Sequence, residues 1–417
     1  MGGLLALDPL LDGEFGWAVV GIVLVKTVFV FALLLVSVMF MVWFERKLIS
    51  DMQHRIGPNK AGPWGLLQTL ADGIKLFFKE DLIPDRADRR VFILAPYLSL
   101  VPAFVTFSVI PIGGGFDGER QGLFKLFGKE TYLQLADPPV GVLLILAMSS
   151  VAVYGIMLAG WSSGSKYPLL GAVRASAQMV SYEAAMGMSV VTVVLLSGSL
   201  STHDIVAQQS GGGYDLFGYD VIPGWNLIAA GVVPFVIFLI AGTAEANRPP
   251  FDLVEAEQEL VGGFHTEYSS IRFAFFYLAE FMNTVTLSAI IVTLFLGGPA
   301  GPTFGGPAWL WGVLWFVVKL FLFLFTFVWF RATLPRFRYD QLMNLGWKVL
   351  IPLSLAWLLL LAANRVGNDE NWDWKIVVAV SFGVLVSGWA AMVAALKVGR
   401  ARHAEEEAEN ENEGVLV

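Results

Sequence analysis

The sequence predicts an all-α integral membrane fold with nine transmembrane helices and one interfacial amphipathic helix, on three observations. Hydrophobic residues make up 56% of the 417 positions and charged residues only 15%, against roughly 25% charged in a soluble domain. Nine apolar runs are long enough to cross about 30 Å of hydrocarbon. The polar residues gather between the runs, most densely in AEANRPPFDLVEAEQELVGGFHTEY at 244–268.

The runs fall at 16–44, 92–112, 138–160, 176–198, 225–244, 271–296, 309–331, 347–363 and 375–397. The first sixteen residues hold Asp8, Asp12 and Glu14 but no Lys or Arg. That is the wrong start for a cleaved secretory signal, so the first run is expected to remain as a helix. Its length corresponds to about 43 Å of helix, more than the bilayer needs, and it should tilt or project. After the turn signals Gly57-Pro58-Asn59 and Gly62-Pro63, the segment from Trp64 to Glu80 carries Leu67, Leu70, Ile74, Phe77 and Phe78 on one stripe. Gln68, Asp72, Lys75 and Lys79 form another stripe, so this segment reads as a helix lying along the membrane. Pro234 should kink the fifth run. The glycine-rich stretches GGGFDGERQG, QQSGGGYDLFGYD and GGPAGPTFGGP read as connectors. Three regions follow: an eight-helix core at 1–363, an added ninth helix at 364–397, and an acidic, disordered tail at 398–417.

Twenty of the 27 Lys and Arg lie in the loops after the odd-numbered runs and in the C-terminal stretch; five lie in the loops after the even-numbered runs. By the positive-inside rule the N-terminus is outside and the C-terminus cytoplasmic. The chain has no cysteine, which removes disulfides, thiolate iron-sulfur ligation and thiol catalysis. The histidines, His54, His203, His265 and His403, all fall outside the apolar runs, which argues against histidine-ligated haem. Neither a catalytic centre nor a metal site is expected in this chain.

Lys26, Glu183, Glu280 and Lys319 sit inside apolar runs, and Glu245 at the end of the fifth. A charge at mid-bilayer costs about 2.5–3.5 kcal/mol even on a lenient scale, so each should face protein or water. Such a set suits a buried proton path; the competing reading is a static ion pair that fixes helix register. In the polar stretch, Glu255 and Glu259 would share a helical face and Glu257 would not, whereas an extended loop would align all three. On the residues alone the cluster reads as a solvated loop or as a proton antenna. Trp64, Phe275, Phe276 and Tyr277 read as packing aromatics before a ligand cage.

Four stretches together carry a resemblance. They are ERKLISDMQHRIGPNKAGPWGLLQTLADGIKLFFKED (Glu45 to Asp81), GWSSGSKYPLLGAVRASAQMVSYE (Gly160 to Glu183), EANRPPFDLVEAEQELVGGFHTEY, and RATLPRFRYDQLMNLGWK (Arg331 to Lys348). The chain resembles the NuoH family, membrane subunits of proton-pumping NADH:quinone oxidoreductase, respiratory complex I. The likeness runs from the first span through the eighth.

The resemblance implies a protein joining the membrane and peripheral arms, with a quinone, ubiquinone or menaquinone, as substrate. Flavin, haem and iron-sulfur clusters would belong to other chains. It implies a quinone tunnel shaped by Glu45, Arg46, Arg55, Asp72 and Lys75, with Trp64 and Tyr277 beside them. It also implies an acidic funnel of Glu183, Glu245, Asp252, Glu255, Glu257, Glu259, Glu267 and Glu280, to which the charges at depth add Lys26 and Lys319. Arg174, Arg248, Arg331, Arg336 and Arg338 would face the peripheral side. Partners would be the quinone-site and iron-sulfur subunits of the peripheral arm, small membrane-arm subunits and lipid, with no nucleic acid, in a bacterial inner or plasma membrane. The family usually ends after eight helices, so residues 364–417 depart from it. A component of a related hydrogenase or ferredoxin-linked complex, and an autonomous proton-coupled transporter, are the rival readings.

Overall fold

The computed structural model describes residues 8–10, 16–116, 122–211, 214–216, 219–222, 224–253, 260–303, 306–370, 372 and 374–414. Helices dominate them. The first, α1 (Trp17–Met52), has 36 residues, about 54 Å at 1.5 Å per residue, and so outruns the bilayer. A turn then leads to α2 (Gln68–Phe77), no residue of which is buried. Its apolar side, with Leu70, Ile74 and Phe77 exposed, is the stripe expected of a helix lying on a membrane. Gly65 fixes the approach: its φ is +78°, and a Cβ there would stand 2.5 Å from the Pro58 carbonyl group, so glycine alone fits.

The helices α3 (Arg89–Ser108), α4 (Gly141–Ser162) and α5 (Lys166–Ser197) alternate in direction and pack in sequence order. The α3–α4 connection carries a hairpin, β1 (Leu123–Leu126) with β2 (Lys129–Tyr132), closed by Phe127-Gly128 with both φ positive. That geometry matches strand twist in a two-residue turn. After α5 come α6 (Thr202–Gly211), a second hairpin of β3 (Tyr214–Leu216) and β4 (Tyr219–Ile222), and the single turn α7 (Asn226–Ala229). We call the face holding both hairpins the hairpin face. The opposite one, where α1 and α10 (Ala308–Thr333) end and α3 and α5 begin, is the basic face. The glycine-rich stretch QQSGGGYDLFGYD thus carries short strands, and GGGFDGERQG leads into the first hairpin.

The fifth span departs from expectation. It breaks at Ala230 and Gly231, and α8 (Val232–Glu245) has 14 residues, about 21 Å, too short to cross the hydrocarbon alone. Pro234 falls in its first turn, where a missing N–H costs nothing, so it does not act as a mid-helix kink. Its carbonyl instead accepts from Ser189 Oγ at 2.6 Å.

Between α8 and α10, α9 (Ser270–Phe295) is the central post. It touches α1, α3, α8 and α10, and its residues from Phe281 to Phe295 are almost all buried. The eighth span is composite: α11 (Tyr339–Leu345), one wide π-type turn (Gly346–Leu350) and α12 (Ile351–Asp369). Finally α13 (Trp374–Gly414) packs back along α12. The stretch expected to be a disordered tail is helical as far as Gly414, in keeping with the strong helix propensity of Ala and Glu. Among the described residues seven helices are long and apolar enough to cross a membrane. The fifth and ninth expected spans correspond to the shorter apolar helices Val232–Glu245 and Lys375–Ala390.

Candidate functional site

Arg248 is the pivot of the polar interior. It lies in the turn after α8 at 5% exposure, and a guanidinium so buried must be paired. Its Nη1 is 3.2 Å from Glu45 Oε2 of α1, and its Nε is 3.3 Å from both Glu280 Oε1 and Thr284 Oγ1 of α9. The guanidinium carbon stands 4.1 Å from the centre of the Phe281 ring, a cation–π contact. Glu45, itself buried, also pairs with Arg331 near the end of α10. Asp252, further along the turn, accepts from Arg336 Nη2 at 2.9 Å.

The turn is held from several sides. Gln178 Nε2 of α5 donates to Ala244 O at 2.8 Å and to Phe251 O at 2.9 Å, and the Phe337 N–H donates to Pro250 O at 3.1 Å. Beyond the turn, Gly171 of α5 meets the 263–265 turn so closely that a Cβ would lie 2.7 Å from Gly263 Cα. The polar backbone at this depth is therefore wrapped in protein, as lipid requires.

Beside the pivot is a cavity of about 570 Å³, within the range that takes a small-molecule ligand. Its lining mixes Val42, Ile49, Ile56 and Phe281 with Glu45, Arg46, Arg55, Arg331 and Tyr277. Two smaller spaces continue it. One of about 20 Å³ lies among Asn247, Arg248, Asp252, Tyr277, Glu280 and Arg331. The other, a slot of about 90 Å³, shares Asn247, Asp252, Tyr277 and Glu280 with it and reaches Ser149 and Glu245. Tyr277 lines all three. At the slot wall Ser149 Oγ donates to Glu245, and on the next residue Ser150 Oγ donates to Glu183 of α5.

The expected site residues divide accordingly. Glu45, Arg46, Arg55 and Tyr277 line the large cavity with Arg331; Asp252, Glu280 and Glu245 line the smaller spaces. Asp72 of α2 accepts from Arg46 Nη1 at 2.7 Å, while Lys75 is exposed and Trp64 is 72% exposed, neither of them on the cavity wall. Glu267 is half-buried at the end of the acidic stretch. Glu255, Glu257 and Glu259 lie outside the described residues. Arg174 stands over the Tyr339 ring at 5.9 Å, and the Arg338 N–H donates to Gln341 Oε1 at 3.2 Å.

The two lysines at depth join other groups. Lys26 Nζ donates to Asp8 Oδ2 at 2.8 Å and to Thr131 Oγ1 at 2.9 Å on the hairpin face. Lys319 Nζ donates to the carbonyls of Leu296, Gly298 and Ala300 at 2.7–2.9 Å and lies 5.3 Å from the Trp225 ring centre. Its contacts cap the end of α9.

Outside the spans, the His265 ring lies 5.0 Å from Phe264 and 5.3 Å from Phe273 and lines the slot. Burial pushes its pKa down to about 4, so it is uncharged at neutral pH. Sequence reasoning missed Ser149, Ser150 and Gln178. The signal for the serines is their pairing in AMSSVA, in the middle of the long apolar run that forms α4.

The chain matches the family model described as NADH dehydrogenase over residues 25–362. It is 51% identical over 407 residues to the H subunit of NADH-quinone oxidoreductase from Frankia alni, covering 96% of this chain and 84% of that one. It is 52% identical over 390 residues to the corresponding protein of Streptomyces avermitilis, covering 92% of this chain and 81% of that protein. The counterpart from Frankia casuarinae is 52% identical over 392 residues, with the same coverage. The family model stops before 364, yet the Frankia alni alignment leaves only 4% of this chain uncovered. Most of the region beyond the eighth span is therefore shared with that relative.

Proposed function

The chain belongs to the NuoH family of NADH-quinone oxidoreductase, respiratory complex I, and from that premise we propose that it houses the quinone during reduction and passes the consequence to buried proton carriers. The observation that carries this reading is the cavity of about 570 Å³ and its link, through walls shared at Tyr277, Arg331 and Glu280, to Glu245. A quinone needs apolar walls for its isoprenoid tail and polar groups near its headgroup. Val42, Ile49, Ile56 and Phe281 supply the first; Arg46, Arg55, Arg331 and Tyr277 supply the second.

Reduction of a quinone to a quinol takes two electrons and two protons. The electrons come from an iron-sulfur subunit docked on the basic face, which we take as cytoplasmic from its lysine and arginine excess. The protons leave groups around the cavity or the water connected to them. Their removal changes the charge balance around Glu45, which is shared between Arg248 and Arg331. Arg248 then shifts its pairing between Glu45 and Glu280, and Glu280 hands the change along the slot to Glu245 and on to Glu183. The peripheral-arm subunits, the small membrane-arm subunits and surrounding lipid complete the setting, in a bacterial plasma membrane.

The test narrows the cavity without touching a charge. Val42→Phe in the assembled complex should raise the KM for a long-chain quinone at least tenfold, while NADH oxidation by a hydrophilic acceptor that bypasses quinone stays within twofold. An unchanged KM in a complex that retains the bypass activity would contradict the assignment of this cavity.

A further inference from the structure

The slot beside Glu245 is too narrow for a ligand of drug size, which needs roughly 300 Å³ or more. At about 90 Å³ it has room for about three waters at the roughly 30 Å³ each takes in the liquid. Two buried polar atoms on its wall have no protein partner among the described residues: Glu245 Oε2 and Ser99 Oγ, on residues 3% and 8% exposed. Buried polar atoms left without a partner cost about 1–3 kcal/mol each, and water is the partner such a space admits. The remaining lining supplies further hydrogen-bonding side chains in Thr106, Ser149 and Asn283.

The direction of the slot follows from its helices. Ser149 lies seven residues along α4 from Val142, about 10 Å of rise. The Val142 N–H donates to Leu200 O on the hairpin face, and Val142 and Thr106 both line the slot. Three residues past Thr106, Val109 O accepts from Gln134 Nε2 at 2.8 Å and from Thr202 Oγ1 at 2.5 Å. That network holds Asp137, which accepts from Ser201 Oγ at 2.8 Å. Asp137 Oδ2 is a third buried atom without a partner among the described residues. Asp137 lies outside the spans, and burial raises its pKa to about 6.

We propose that a file of water fills this slot and links Glu245 to the hairpin face, so that Glu245 exchanges its proton toward that face through this chain alone. Protonated Glu245 passes its proton to the first water and becomes a carboxylate; the file relays a proton to the Asp137 network. Glu245 is then protonated again from Glu280. Val142 and Leu294 line the apolar end of the slot, nearest the hairpin face. All of this rests on the functional reading above, because it takes Glu280 and Glu245 as neighbours in one relay.

The experiment uses the purified complex in liposomes and follows hydrogen–deuterium exchange of the Glu245 carboxyl, identified as the infrared band lost in Glu245→Gln. Filling the slot with Ala103→Leu and Ala152→Leu together should slow that exchange tenfold or more while NADH:quinone electron transfer stays within twofold. Ser99→Ala, a milder change, should slow it about threefold and serves if the filled protein does not assemble. Unchanged exchange in whichever variant assembles overturns the water file. If Glu245→Gln lowers the proton yield per NADH but slot filling leaves exchange unchanged, only the water file fails. If Glu245→Gln leaves the yield intact, the relay and the water file fail together.

Discussion

Arg248 decides more than any other single residue because it neutralises charge in two directions, toward Glu45 and toward Glu280. Removing one partner of a buried pair costs about 3–5 kcal/mol, since it strands the other charge. Arg248→Met should therefore cut assembled complex severely, measured by native gel electrophoresis of membranes. Arg248→Lys should restore assembly only in part, because a single ammonium cannot reproduce contacts to Glu45, Glu280 and Thr284 together with the face of Phe281. His265 yields a second expectation with a definite sign. Its folded pKa is below the unfolded value of about 6.5, so the folded state binds fewer protons and stability falls as pH drops from that value toward 4. His265→Phe removes this titration. Its thermal inactivation should vary less between pH 7 and pH 5 than that of the parent. Equal pH dependence would show that His265 takes up its proton as readily in the folded protein as in the unfolded one. Little of this was legible in the sequence: Arg248 stands out as the lone cation among acids, but its partner Glu45 is 203 residues away. No periodicity reports a contact of that span.

At the scale of elements, length and stripe were legible and pairing was not. The over-long first helix and the amphipathic α2 follow from run length and from the apolar spacing at Leu67, Leu70, Ile74 and Phe77. The break at Gly231 did not follow, because an apolar run reads the same whether one helix or two fill it. Lys319 carries the same lesson. Depth in an apolar run suggests proton coupling; from its three carbonyl partners at the end of α9 we propose a capping role instead. Lys319→Met should lower the amount of assembled complex while leaving the proton yield per NADH nearly unchanged in what remains. Loss of yield at normal assembly would return Lys319 to the relay.

At the scale of the whole molecule, the central post α9 brings the parts together. It gives Tyr277 to all three spaces, Glu280 to Arg248, and its buried outer half to the slot. The carboxylates therefore lie in series from the large cavity inward, an order that composition alone could not supply. The most direct test is Glu280→Gln in the purified complex reconstituted in liposomes, with NADH oxidation and proton uptake recorded in the same sample. The expected result is continued quinone reduction with the number of protons moved per NADH reduced by half or more. Quinone reduction at the parent rate with an unchanged proton yield would mean that the cavity and the buried acids are not coupled through Glu280.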